Sequence, residues 1–362
     1  MHDLVSASPD ITLAELRLAA RNHGMPLEAL RYDITPAGLH YLLIHFDIPH
    51  VEVSGWALTI DGHVERALRL SLNDLRARPA VTQAVTLECA GNGRARLSPR
   101  PISQPWLEEA VGTAEWTGTP LAPLLEEAGL REGAEEVLFT GLDRGIQAEV
   151  EQSYQRSLPL DEALRPEVIL AYEMNGWTLL PQHGFPLRVI VPGWYGMTSV
   201  KWLDRITVLS EPFAGYQQAE AYRLTQAEGD PGFPVTRIQP RSLMIPPGMP
   251  DFLTRRRFVK PGTLLIQGRA WSGWAPVVRV EVSVDGGESW EEADLGQPVS
   301  AYGWAPWSFT WEAAPGEHRL ASRAHDRAGN MQPVDQPWNL QGMANNMVQW
   351  VEVVVRGSEL PR

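Results

Sequence analysis

The stretch Val85-Thr86-Leu87-Glu88-Cys89-Ala90-Gly91-Asn92-Gly93-Arg94 holds the one cysteine among 362 residues. Val81, Val85, Leu87 and Cys89 share one parity, the pattern of a strand with one buried face. The pattern breaks at Gly91-Asn92-Gly93, a turn signal. A cysteine that closes a strand just before a glycine turn is set at the mouth of a cleft. Two readings compete. Cys89 is a small buried hydrophobe, or it is a thiolate ligand or nucleophile with Arg94 nearby to favour the ionised form. One cysteine cannot form a disulfide, a structural zinc site or an iron–sulfur cluster. It can complete the coordination of a metal that brings most of its own ligands.

Composition narrows the class. Hydrophobic residues at 44% and charged residues at 21% are those of a soluble globular protein. No run of about 18 apolar residues occurs, so no membrane span is expected. Met1-His2-Asp3-Leu4-Val5-Ser6 lacks the basic segment and apolar core of a leader, which predicts a cytoplasmic chain. Lys and Arg number 31 against 44 Asp and Glu, a net charge of −13 that argues against non-specific binding to nucleic acid or acidic membranes. Thirty prolines and 31 glycines suit a β-rich, turn-rich protein. The length points to two domains.

Outward from the cysteine, a helical pattern from Leu13 to Ala19 ends near Asn22-His23-Gly24. Trp56 to Leu70 reads as a hairpin and Ser71 as the cap of a short helix. Leu121 to Leu130 is helical, and Val137 to Asp143 and Ile169 to Met174 are strands. Pro231 to Pro250 reads as a proline-rich linker or arm. From Thr263 onward, strands recur with hairpin turns such as Asp285-Gly286-Gly287, the spacing of a β-sandwich. Seven tryptophans between Trp271 and Trp338 crowd this half, which suits core and interface packing better than a carbohydrate-binding face.

Thr86 to Arg94 resembles the cysteine loop of the sulfite oxidase family of molybdenum enzymes. The likeness continues through Pro105-Trp106, His183 to Gly193, Gly196 to Leu203, Ser283 to Trp290 and Pro337 to Leu340. It implies an α+β chain: a mixed α/β molybdopterin-binding domain over 1–235, then an immunoglobulin-like β-sandwich over 236–362 that dimerises. It also implies the cofactor, a molybdenum–molybdopterin group without haem. In that family the position of Cys89 binds the metal. Those of His45, Asp143, His183, Arg188, Ser199, Val200 and Lys201 hold the pterin and its phosphate. Arg94 takes the place of a residue that steadies the substrate anion, and Tyr222 that of an active-site hydroxyl.

Two departures bear on substrate. The family's arginine before the pterin histidine corresponds to Leu43, with Ile44 between it and His45. A second substrate arginine, matched in Ala301 to Trp307, corresponds to Ala305. Arg96 and Arg100 are candidates to replace the lost charge. Arg21-Asn22-His23-Gly24 copies the lost motif upstream and is read as a decoy. The resemblance thus implies sulfite oxidation to sulfate by oxygen-atom transfer. Electrons go to a separate acceptor such as a cytochrome. The alternative is the same cofactor acting on nitrate, sulfane sulfur or a sulfoxide. A third reading is a cofactor-free immunoglobulin-like scaffold.

Overall fold

The structure, a computed structural model, describes residues 5–6 by their backbone and residues 10–357 in full. Most of the segment read for a leader, and the outer ends of both expected domains, lie outside the described residues. Ten strands form the two main sheets of the first half: β1 (Leu58–Gly62), β2 (Leu68–Leu70), β3 (Val81–Glu88), β4 (Val111–Pro120), β5 (Glu136–Gln147), β6 (Val150–Pro159), β7 (Ile169–Met174), β8 (Trp177–Thr178), β9 (Arg188–Ile190) and β10 (Leu203–Leu209). One sheet runs β8-β7-β4-β3 with β9 also on β7, and a second runs β2-β1-β10-β5-β6. Helices are short: α1 (Leu13–Ala19), α2 (Leu72–Arg76) and α3 (Ala122–Ala128) have seven residues at most. Thr12 and Glu15 box the start of α1, and Ser71 and Asp74 that of α2, so each satisfies N–H groups that a first turn leaves open. The half expected to be mixed α/β is therefore mostly β.

The strand into the cysteine does not keep the single buried face the sequence predicts: from Val85 to Glu88 both faces are buried, Thr86 and Glu88 included. Val81 is 38% exposed, whereas Val85 and Leu87 are buried with Ala114, Trp116, Ile169 and Ile190. The second sheet packs Leu58, Ile60, Phe139 and Ile206 with Leu170, Val189 and α3 in a separate core. Between β7 and β8, Asn175 (φ 53°) and Gly176 (φ 76°) form the tight Asn-Gly turn that suits a two-residue hairpin.

In the second half, β11 (Arg241–Met244), β12 (Met249–Pro250), β13 (Arg257–Val259), β14 (Gly262–Trp271), β15 (Val277–Ser283), β16 (Glu291–Glu292), β17 (Asp294–Leu295), β18 (Ala305–Ala313), β19 (Gly316–Asp326) and β20 (Val351–Val355) form two sheets. Their orders are β11-β14-β18-β17 and β12-β13-β20-β19-β15-β16. Ile266, Trp307 and Trp311 from one meet Val282, Leu320 and Val353 from the other in a single core. Four of the crowded tryptophans (Trp271, Trp304, Trp307 and Trp311) are buried, which favours packing over a sugar-binding face. The expected linker contains β11, a strand of the sheet, because Arg241 and Ser242 find buried partners in Glu88 and Ser322. Composition alone does not show that such polar residues are paired. A third cluster, including Met25, Tyr195, Tyr222, Leu243, Trp271 and Met343, seals the two halves together. No helix among the described residues is long and apolar enough to cross a membrane.

Candidate active site

β3 ends at Glu88, and the next residues are held by a dense set of local bonds. The Cys89 N–H donates to the Ala110 carbonyl at 2.9 Å, and the Asn92 N–H to the Cys89 carbonyl at 3.0 Å. Asn92 then clamps the loop through its side chain, donating to Glu88 Oε1 (2.9 Å) and accepting from the Ala110 N–H (3.0 Å). Gly93 has φ 86°, a left-handed turn that a side chain would strain. At Gly91 a Cβ would stand 2.7 Å from the Arg94 guanidinium, so that arginine folds back over its own loop. Glu88 meets Arg241 at 2.9 Å with both side chains 1% exposed, and Trp271 donates to its other oxygen. Removing one partner of such a pair costs on the order of 3–5 kcal/mol, so the second half fixes the base of the cysteine loop.

Cys89 lies at the junction of two cavities. Burial pushes its thiol up and Arg94 pulls against that shift. The first cavity, about 680 Å³ including open solvent, collects His45, Asp143, His183, Arg188, Ser199, Val200 and Lys201, seven residues the sequence singled out. Burial moves their charges. Asp143 is pushed up to about 7 and Lys201 down to about 7. Arg188 is pushed down to about 10, and His183 falls far enough to be neutral. Arg188 stacks on Trp116 at 4.7 Å and donates to the His183 and Ser199 carbonyls, while its Nε has no partner. Lys201 donates to the carbonyls of Leu43 (2.7 Å) and Gln182 (3.0 Å) and meets no carboxylate. Asp143 Oδ1 is also unpartnered. Ser199 Oγ accepts from the Val191 N–H at 3.2 Å, which ties the two loops that flank the cavity.

These groups fit a pterin with a phosphate. The bare Asp143 oxygen suits the amino edge of a pyrimidine, and the guanidinium and ammonium suit a phosphate. Among the described residues no group of three or more His, Cys, Asp or Glu side chains could hold a metal ion. A metal at Cys89 must therefore bring most of its own ligands.

The second cavity, about 1030 Å³ including open solvent, has a different lining. Arg94 is 4% exposed and donates to the carbonyls of Gln341 (2.9 Å) and Gln104 (3.3 Å) and to Met343 Sδ (3.3 Å). Donors on its terminal nitrogens remain for a ligand. The same cavity is lined by His45, Gln147 and Gln217: His45 Nε2 and Gln217 Nε2 each lie 2.8 Å from Gln147 Oε1, and Gln217 also donates to Gln152. Tyr222 follows a π-helical turn (Gln217–Ala221), a device frequent at functional sites. It lines both cavities, as does Leu43.

Three expectations fail on geometry. Ala305 does not face this site; it pairs with Ala270 and lines a separate cleft with Trp271 and Arg327. The second half reaches the site through Gln341 and Met343 instead, just past the Pro337–Leu340 motif. Arg96 is ion-paired to Glu108 and Arg100 to Glu15, both away from the cavity, so neither refills the lost charge. The upstream decoy does belong near the site: His23 bridges Leu42, and Asn22 accepts from the Ile44 N–H at 2.7 Å and lines the cavity. Trp106, Gln104, Gln147 and Gln217 were missed as site residues. Only Trp106 lay in a motif, and glutamines scattered over 113 positions carry no sequence signal.

Comparison with known proteins agrees. Residues 45–217 match the oxidoreductase molybdopterin binding domain, and residues 236–357 the Mo-co oxidoreductase dimerisation domain. The chain is similar to sulfite oxidase of Gallus gallus (39% identical over 329 residues, 86% of this chain and 71% of that one). It is also similar to sulfite oxidase of Arabidopsis thaliana (35% over 359 residues, 89% and 88%). Nitrate reductase (NADH) 1 of Oryza sativa subsp. japonica is 33% identical over 361 residues, and the match spans 91% of this chain but 39% of that protein. Among solved structures, the sulfane dehydrogenase SoxCD from Paracoccus pantotrophus superposes with a TM-score of 0.79 at 27% identity, covering 92% of this chain and 86% of that one. The scaffold reading falls with these matches. The chain belongs to the sulfite oxidase family of molybdopterin-binding oxidoreductases, and molybdenum–molybdopterin is its cofactor.

Proposed function

We propose that the protein oxidises sulfite, or a closely related sulfur oxyanion, and passes the electrons to a separate acceptor. One observation carries the reading: the Cys89 thiol lies where a cavity built for a charged organic cofactor meets a cavity holding Arg94 and Tyr222. When bound, the molybdenum–pterin group would supply two-electron oxygen-atom transfer at that junction. Cys89 would hold its metal as the thiolate. Asp143 would take the pterin's amino edge, and Arg188 and Lys201 its phosphate, with His183, Ser199, Val200 and His45 shaping the walls. Arg94 would orient the oxyanion with its unspent donors, and the Tyr222 hydroxyl would hydrogen-bond at the reacting oxygen. The buried walls exclude water and strengthen both contacts.

The second half is read as an immunoglobulin-like module that pairs two copies of the chain. This reading rests on its two facing sheets and on the dimerisation-domain match. A second substrate reading, nitrate or sulfane sulfur, is favoured by the neutral Leu43 in the cavity wall and by the nitrate reductase and SoxCD likenesses. The test is steady-state turnover of the cofactor-loaded protein. Sulfite should drive saturable reduction of ferricyanide, and nitrate should not consume electrons from reduced viologen. Absence of any sulfite-dependent reduction would remove the first substrate.

A further inference from the structure

Seven arginines are buried among the described residues. Four have a carboxylate: Arg100 with Glu15 (2.9 Å), Arg241 with Glu88 (2.9 Å), Arg257 with Glu28 (3.0 Å) and Arg269 with Asp33 (2.8 Å). Three have none. Two of those, Arg94 and Arg188, face the two cavities, where an oxyanion and a phosphate would bring the missing negative charge. The third is Arg156.

Arg156 lies on β6 and is 1% exposed. It donates through Nη1 to the Gln217 carbonyl, and its guanidinium lies 5.2 Å from the centre of the Tyr222 ring. Its Nε has no partner. Burying a cation without an ion-pair partner is costly, and the Glu136 carboxylate acts on Arg156 only at longer range. Both groups it touches line the substrate-side cavity. In a dry, low-dielectric wall its field crosses one aromatic ring with little screening.

We propose that Arg156 supplies the second positive charge for the sulfur oxyanion, acting from behind Tyr222 and the Gln217 turn, while Arg94 contacts the anion directly. This accounts for a site in which Leu43 is neutral and neither Arg96 nor Arg100 is available. Arg156 is thus a positioning residue for substrate. The inference rests on the oxyanion reading above.

Charge and packing make different predictions. Arg156→Gln keeps a donor for the Gln217 carbonyl but removes the charge, whereas Arg156→Lys keeps the charge. The probe is sulfate, titrated into the cofactor-loaded protein at fixed ionic strength and followed by calorimetry, with sulfite KM and kcat measured beside it. Arg156→Gln should weaken sulfate and raise the sulfite KM by about tenfold or more, with kcat within about threefold. Arg156→Lys should stay within about threefold of wild type in both. Sulfate affinity unchanged in Arg156→Gln would overturn the proposal. So would a tenfold loss in Arg156→Lys, a result that stands alone if the glutamine variant does not load cofactor, and so would a wild type with no saturable sulfate binding. Sulfate binding that depends on Arg156 without sulfite turnover would instead remove the sulfite assignment and leave the oxyanion site.

Discussion

The two cavities that meet at Cys89 are built on opposite principles. On the pterin side, Asp143, Arg188 and Lys201 are desolvated, pushed towards their neutral forms and make no ion pair, although Asp143 and Lys201 feel each other's charge. On the substrate side, His45, Gln147, Gln217 and Gln152 are linked by hydrogen bonds, with the Gln217 Oε1 left over, and Arg94 is already held by backbone carbonyls and a thioether. The first wall holds three desolvated charged groups, so much of its interaction free energy goes into retaining the cofactor. The second has its donors held in place by neutral hydrogen bonds, so it can orient a small anion with little rearrangement. Loss of a residue should therefore read out as loss of cofactor on one side and as a change in KM on the other.

The junction itself should give the largest effect. Cys89→Ser replaces the thiolate that belongs to both cavities, and the purified variant should lose its sulfur-to-metal absorption band and all sulfite-dependent reduction. Retention of both would end the assignment of Cys89 as a metal ligand.

Lys201→Met comes next. It should lower cofactor retention by about ten- to a hundred-fold, measured as molybdenum per chain, because a phosphate loses a charged donor in a dry site. The cofactor-free chain should respond in the opposite sense. Between pH 7 and 10.5 the unfolded chain holds the Lys201 proton that the folded chain has released. Wild-type apoprotein therefore gains stability as pH rises through that window. The cofactor-free Lys201→Met chain should melt higher than wild type at pH 7, and the gap should close towards pH 10.5. A variant less stable at pH 7 in both forms would mean that the ammonium is satisfied without a ligand.

How much of this was legible in the sequence follows the same division. Cys89, Asp143, His183, Arg188 and Lys201 lie in contiguous motifs, because a rigid cofactor with a phosphate demands charged groups at fixed spacing. Their assembly in one cavity is what those motifs imply. The substrate side is drawn from widely separated segments joined only by folding. Gln147 and Gln217 are 70 positions apart, yet share a bond of 2.8 Å. Ala305 was aligned by its tryptophan neighbours, but the pairing of β18 with β14 turns it into another cleft. Asn22 looked like chance repetition until the His23–Leu42 bridge brought it to Ile44. Fold class was legible in outline, since alternation and turn residues are local. The β11 strand was not, because its polar residues are matched by distant partners, Arg241 by Glu88 in the first half and Ser242 by Ser322 in the second.

Arg94→Leu should leave molybdenum content near that of wild type while raising the sulfite KM by about ten- to a hundred-fold. Equal loss of cofactor would show that the arginine supports the Cys89 loop rather than the anion.

The smallest effect, and the sharpest test of separability, is Gln147→Leu. The side chain accepts from Gln217 and faces His45 Nε2, and neither contact involves a charged group on the pterin side. Gln217 keeps its bond to Gln152, and His45 keeps its edge contact with Phe46 at 4.6 Å and its place beside Tyr154 at 5.0 Å. Burial already holds His45 below its usual value, and losing the Gln147 bond lowers it further, so its charge at neutral pH does not change. What remains is the cost of two neutral hydrogen bonds at about 0.5–1.5 kcal/mol each, felt by the Gln217 turn that carries Tyr222. The sulfite KM should rise by less than about tenfold with cofactor fully retained. If molybdenum content fell as far as in Lys201→Met, His45 would be transmitting strain from one cavity to the other, and the two walls would have to be treated as a single site.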